Sequence, residues 1–315
     1  MAINGPVLVT GASGFAGSHL LDLLTREGIS PIGWHRPGHP APGGLARVRW
    51  LAVDLLDAAT VDRAIADVRP AAVYHCAGAA HVGQSWDRAR ETFVTNVLGT
   101  HHLLRALAHA GLSARVLIPG SALVYRQADS ALGEDAPIGP ASPYALSKLA
   151  QEMLGVRAIT EDGQIILIAR AFNHVGPRQE PSFAASSFAR QIARIEAKMA
   201  EPVIEVGNLD ARRDLTDVRD TVRAYHAILQ RGRPGVAYNV CSGLAFAIGD
   251  VLERLVALSR VPVEIRVDAA RYRRQDLPLL LGDPARIVRD LGWTPQIPLE
   301  QSLSDLLEYW RGHLN

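Results

Sequence analysis

Residues 6–17 read Pro6-Val7-Leu8-Val9-Thr10-Gly11-Ala12-Ser13-Gly14-Phe15-Ala16-Gly17, a short apolar run that ends in three glycines spaced G-x-x-G-x-x-G. An amphipathic segment starts at Ser18, so the order is strand, tight turn, helix. Glycines in such a turn let backbone approach a pyrophosphate closely. The helix amino terminus then offers free N–H groups and a positive dipole end to the anion. A glycine-rich turn alone is often only a turn, but its place directly after the first strand points to a dinucleotide site. Gly11, Gly14, Phe15 and Gly17 are its candidate cofactor-binding residues.

Working outward, residues 31–36, 47–53, 71–80 and 114–119 read as further strands, with helical spacing over 59–68 and 91–110. Strands alternating with helices predict an α/β fold, a Rossmann-type doubly wound parallel sheet covered on both faces. The second strand ends at His35 and Arg36, where such folds meet the adenosine ribose. An acidic residue there would favour NAD, whereas the Arg36 guanidinium suits a 2′-phosphate, so NADP is favoured and NAD stays possible. Asp54, ending the third strand, is placed either to accept from the adenine amino group or to cap the next helix. His75 and His81 flank the small-residue loop after the fourth strand, and neither is assigned a chemical role.

The stretch Ser142-Pro143-Tyr144-Ala145-Leu146-Ser147-Lys148 opens another predicted helix and puts a phenol and an ammonium four residues apart, on one face. Alone, a tyrosine titrates near pH ~10, and a nearby lysine favours the phenolate. The pair is suited to exchanging protons near neutral pH. Tyr-x-x-x-Lys also arises by chance on solvated helix faces, so its weight comes from its neighbours. Ser121 follows the strand at 114–119, and ligands on open parallel sheets sit beyond the carboxyl ends of the strands. Ser121, Tyr144 and Lys148 can therefore converge beside a nicotinamide.

The chain has 315 residues, 48% hydrophobic, with a formal net charge of +1 and two cysteines, Cys76 and Cys241. That is enough for a real core in one large or two modest domains. No basic footprint for nucleic acid or an anionic membrane is present. No metal or disulfide spacing and no membrane-length apolar run is found either. A small-molecule enzyme in a reducing, cytoplasmic setting is the expectation.

With these pieces the chain resembles the extended short-chain dehydrogenase/reductase family, whose members act on nucleotide-linked sugars. The resemblance implies Tyr144 as general acid/base, Lys148 on the nicotinamide ribose, and Ser121 on the reacting oxygen. Segments 170–178, 207–214 and 282–284 are similar to the group formed by GDP-mannose 4,6-dehydratase and its partner, the GDP-6-deoxy-4-keto-mannose reductase. That implies sugar-nucleotide contacts from Asn173, a diphosphate clamp from Arg212 or Arg213 with Arg273, and homodimers paired through helices 91–110 and 144–159. Arg213 is equally suited to an ordinary ion pair with Asp214 or Asp217. Dehydratases of this family carry an acid two positions after the serine or threonine. Here that position is Leu123, which cannot move a proton, so the expected reaction is NADPH-dependent reduction of the C4 ketone of a GDP-4-keto-6-deoxyhexose.

The expected organisation is a dinucleotide domain over 1–171, rejoined by 214–242, and a smaller, discontinuous α/β substrate domain from 172–213 and 243–315. Helices are expected over 183–199, 215–230, 246–259 and 299–310, with strands over 236–241 and 260–267. Rival readings are an NAD-dependent nucleotide-sugar 4-epimerase using the same three residues, a GDP-mannose 4,6-dehydratase, and a redox-sensing protein that has lost catalysis.

Overall fold

The computed structural model describes residues 4–39, 41, 47–268, 270 and 277–314. Seven strands form one parallel sheet: β1 (Val7–Thr10), β2 (Ile32–His35), β3 (Arg49–Ala52), β4 (Ala72–His75), β5 (Arg115–Ser121), β6 (Ile165–Ala171) and β10 (Ala237–Val240). Their spatial order is β10-β6-β5-β4-β1-β2-β3. Successive side chains leave a strand on opposite faces. Val7, Val9, Tyr74 and Leu117 accordingly enter one core, against Leu20 and Leu24 of α1 (Phe15–Arg26) and Ile228 of α8 (Val218–Arg231). Leu8, Val73 and Val116 enter the other, against Val61 and Ile65 of α2 (Ala58–Val68) and Leu103 and Leu107 of α5 (Gly99–His109). Burial on both faces is why these strands read as unbroken apolar runs. The strand order reverses at β1, so the crevice beyond β1 and β4 is where a ligand fits.

After β4 come α3 (Gln84–Asp87) and α4 (Ala89–Phe93), then one π-turn at Val94–Leu98 leading into α5. The helix expected over 91–110 is therefore present as one continuous helical run with a π-turn inside it, and the Asn96 side chain of that turn reaches the β4 loop. It accepts from Ala79 N at 2.7 Å and donates to Ala79 O at 3.2 Å and to Ser147 Oγ at 2.9 Å. Ser147 sits on α6 (Pro143–Asp162), which ends at Gly163 in the left-handed region, φ +65°.

The second lobe holds β7 (Asn173–Val175), β9 (Arg212–Asp217), β11 (Ala245–Ala247) and β13 (Leu279–Leu280) in one sheet, and β8 (Val203–Val206) paired with β12 (Glu264–Val267). α7 (Ala184–Glu196), α9 (Ile248–Ala257) and α11 (Leu299–Arg311) close over its core through Ile192, Leu252 and Leu307. Residues 215–217, expected as helix, finish β9. They pair with β7, and Asp217 caps α8 by accepting from Arg219 N at 2.7 Å. Ile287 and Leu291 of α10 (Ala285–Leu291), with Trp293, pack into the core around β1. The carboxyl-terminal stretch therefore serves both lobes. Among the described residues, no helix is long and apolar enough to cross a membrane.

α6 is pinned to the sheet by a buried ion pair. Arg170 of β6 donates to both Glu152 oxygens at 2.8–3.2 Å and to Tyr125 Oη at 3.0 Å. Truncating one partner leaves a buried charge uncompensated, typically at a cost of about 3–5 kcal/mol. Glu152→Ala should lower unfolding stability by that amount, read as a fall in the urea midpoint at unchanged slope.

Candidate active site

Beyond β1 the chain turns at Gly11, whose φ of +62° favours glycine and whose added Cβ would lie 2.6 Å from Ala77 Cα. Gly17 faces the Gly11 carbonyl too closely for any Cβ. Gly14 caps α1, its carbonyl accepting from Ser18 N at 2.9 Å. The first-turn N–H groups, beginning with Phe15, have no carbonyl to meet within the helix. This cradle, which side chains would fill, fits the pyrophosphate of a dinucleotide. The Phe15 ring points away to stack on His174 at 5.5 Å, leaving its N–H as the group offered to an anion. Arg36 stands exposed just past β2. Asp54, past β3, accepts from Leu56 N at 2.9 Å, and Asp57 rather than Asp54 caps α2.

α6 begins where its sequence signals it. Ser142 Oγ accepts from Ala145 N at 3.1 Å, and Pro143 supplies a helix-ready φ at the first position. Tyr144 follows, half-buried, with the Ser121 hydroxyl near enough to act on its phenol. Burial pushes the phenol up, and the Ser121 hydroxyl pulls it partly back. Ser121 ends β5, and its Oγ accepts from Leu123 N at 3.2 Å. Leu123 sits half-buried against the apolar cluster of Ala122, Val124 and Phe172. Lys148 lies one helical turn beyond Tyr144 and is buried. Desolvation brings its ammonium down to about 8, against the raising influence of Glu152 and Cys76.

In the second lobe, Asn173 is exposed on β7 opposite Leu215 of β9. Paired residues share a face and alternate residues return to it, so Arg213 lies on the Asn173 face and Arg212 on the reverse. Arg212 NH2 donates to Ala245 O at 3.1 Å, and Arg213 NH1 to Leu277 O at 2.6 Å. Arg273 lies outside the described residues. His81 bridges the lobes, 2.7 Å from Glu180 Oε2 and stacked on Phe183 at 5.1 Å. The sequence reading passed over Gln151 and Thr100 and left His75 without a role. All three connect to Lys148 through buried hydrogen bonds. Their one sequence signal is polarity at core positions.

A glycine cradle on one side of the sheet crevice and a serine–tyrosine pair with a buried lysine on the other define an extended short-chain dehydrogenase/reductase, an oxidoreductase class that works with NAD or NADP. Within it, the family model for GDP-mannose 4,6 dehydratase matches residues 8–306, and the chain belongs to that family. It is 37% identical over 313 residues to a GDP-6-deoxy-D-mannose reductase of Pseudomonas aeruginosa, covering 98% of each chain. A solved structure of RMD from Pseudomonas aeruginosa complexed with NADPH matches with a TM-score of 0.84 and 36% identity, over 98% of this chain and 99% of that one. A UDP-glucose 4-epimerase of Thermotoga maritima, solved with UDP-glucose, matches with a TM-score of 0.87 and 25% identity, over 98% and 100%.

Gly17→Val should force the Gly11 turn out of place, since any Cβ there meets the Gly11 carbonyl oxygen at 2.2 Å, lowering the thermal midpoint and weakening NADPH binding at least about tenfold, a cost of ~1.4 kcal/mol. Fluorescence titration of the bound nicotinamide checks this.

Proposed function

We propose that the protein reduces the C4 ketone of a GDP-linked 4-keto-6-deoxyhexose with NADPH. The observation that carries this reading is the hydroxyl pair Ser121–Tyr144 at the end of β5, with leucine at the position where an eliminating enzyme needs an acid. The similar reductase and its NADPH-bound counterpart support it. So does the exposed Arg36, whose guanidinium suits a 2′-phosphate. The cofactor supplies the hydride. Ser121 donates to the ketone oxygen as negative charge grows there, and Tyr144 delivers the proton that completes the alcohol. Burial keeps the phenol protonated at neutral pH, the state in which an acid must start. The Lys148 ammonium stabilises the phenolate left behind and binds the nicotinamide ribose. Gly11, Gly14, Phe15 and Gly17 hold the pyrophosphate, with Asp54 towards the adenine.

The second lobe, built from parts of 172–213 and 243–315, holds the sugar nucleotide in this reading. Asn173 and the co-facial Arg213 contact it, Arg213 turning to the diphosphate from its bond to the Leu277 carbonyl. Arg212 contributes from the reverse face only if its bond to Ala245 breaks. Arg273 remains a clamp on the sequence argument. Binding the diphosphate remotely fixes the ketone in one geometry at the Ser121–Tyr144 pair.

NADPH absorbance during incubation with GDP-4-keto-6-deoxy-mannose should fall, and far more slowly with NADH. Tyr144→Phe should cut the rate by about 10²–10⁴ while retaining NADPH binding. Loss of the lysine proton removes the charge that stabilises the phenolate, so the wild-type rate should decline as pH rises through about 8. Interconversion of sugars without net NADPH consumption would replace the reductase by an epimerase.

We also propose a homodimer. An apolar groove of about 500 Å³ runs along α6 beside the π-turn, lined by Val97, Leu146, Leu149, Ala150, Met153 and Leu154. Met153 is 51% and Leu146 47% exposed, more apolar surface than a solvated helix face normally carries. Met153→Glu should convert a sedimenting dimer to monomer.

A further inference from the structure

A buried chain of hydrogen bonds links Lys148 to the first glycine of the cofactor turn, and none of the roles above uses it. Lys148 Nζ donates to Gln151 Oε1 at 2.7 Å, and Gln151 Nε2 donates to Thr100 Oγ1 at 2.6 Å. Thr100 spends its own hydrogen on Asn96 O at 2.6 Å. Its oxygen therefore accepts from His75 Nε2 at 2.9 Å, which places the imidazole proton on Nε2. His75 Nδ1 then accepts from the Thr10 hydroxyl at 2.8 Å, and the Thr10 oxygen accepts from Ala77 N at 3.3 Å. Thr10 precedes Gly11. Gln151, Thr100, His75 and Thr10 are all buried.

Each link has one donor and one acceptor, and the donors run toward the Thr100 oxygen from both ends, so the orientation of every group is fixed. The Gln151 amide cannot turn over, because its NH₂ would then face the ammonium. An amide does not hand a proton along, so this is no relay. His75 stays neutral throughout, since burial and the Lys148 charge pull it down to about 3. A buried ammonium without an acceptor is costly, which makes the Gln151 oxygen, the one acceptor at hydrogen-bond distance among the described residues, decisive for where it sits.

We propose that Gln151 is a positioning residue for Lys148, its carbonyl oxygen fixing the ammonium below Tyr144 and its amide anchored through Thr100, His75 and Thr10 to the glycine-rich turn. The inference rests on Lys148 acting as proposed, but its test does not need the substrate. The other groups facing the ammonium are Glu152 from α6, already shared with Arg170, and His75 and Cys76 from β4 and the turn after it. Glu152 raises the lysine and burial lowers it. Removing the Gln151 oxygen should lower it further, and a carboxylate in the same place should raise it.

The sequence contains two lysines, Lys148 and the exposed Lys198. Protein grown with ¹³Cε-lysine thus gives two side-chain signals, assigned with Lys198→Arg. Gln151→Leu should move the Lys148 midpoint down by about one unit and Gln151→Glu should move it up by as much. Lys198 should stay put in both. In the reductase assay, kcat should fall about tenfold in Gln151→Leu with the sugar KM nearly unchanged, and its alkaline limb should shift upward in Gln151→Glu. Folded variants whose Lys148 midpoint does not move, or moves the same way in both, overturn the proposal. The near-isosteric Gln151→Glu keeps the test available should the leucine variant not fold. A wild-type protein that reduces no nucleotide sugar defeats the proposed function, yet leaves the opposed lysine shifts to decide this one.

Discussion

Helix α6 lies against β5 and β6 at a separation set by two glycines and one buried ion pair, and the site follows from that approach. A Cβ on Gly120 would meet Glu152 Oε1 at 2.5 Å, and one on Gly155 would meet Ile166 at 2.9 Å. Because neither is there, the helix sinks until the Glu152 carboxylate reaches Arg170. At that depth Tyr144 meets Ser121 at the adjoining strand end, and Lys148 is stripped of water. Buried ion pairs add little net stability over an apolar pair, but they fix geometry. Here the fixed quantity is the position of a phenol relative to a serine.

That burial also sets the chemistry. Desolvation raises the phenol and lowers the ammonium, so near neutral pH both groups are protonated while the lysine is ready to respond to a nearby negative charge. Such a pair suits giving a proton to an oxygen that has just gained hydride. The family's name describes an elimination, which needs a further acid or base beside the serine. Leu123 fills that place and turns into an apolar cluster instead. One fold thus supports elimination, reduction or epimerisation according to a few side chains at the strand ends.

Much of this was legible in the sequence because its determinants are local. Val7–Thr10 followed by glycines, Ser142-Pro143 before Tyr144, and Ser121 after an apolar run each declare a strand end or a helix start within a few residues. Where pairing between distant segments decides, the reading slipped. Residues 215–217 carry helical spacing but gain backbone partners in β7. The helix over 91–110 forms as expected but carries a π-turn at Val94–Leu98, where Asn96 satisfies the Ala79 backbone, a partner invisible from its own neighbours.

The sequence by itself determined the parallel sheet, the glycine-rich turn after β1 and the helix start at Ser142-Pro143, because periodicity, glycine spacing and residue type act over short range. The tertiary structure alone decided that Arg213 rather than Arg212 shares a face with Asn173, that α10 returns to the first core, and that Gln151 lies at hydrogen-bond distance from Lys148. Those choices depend on strand register and on which buried donors find acceptors, and both are settled only when segments far apart in the chain are brought into contact.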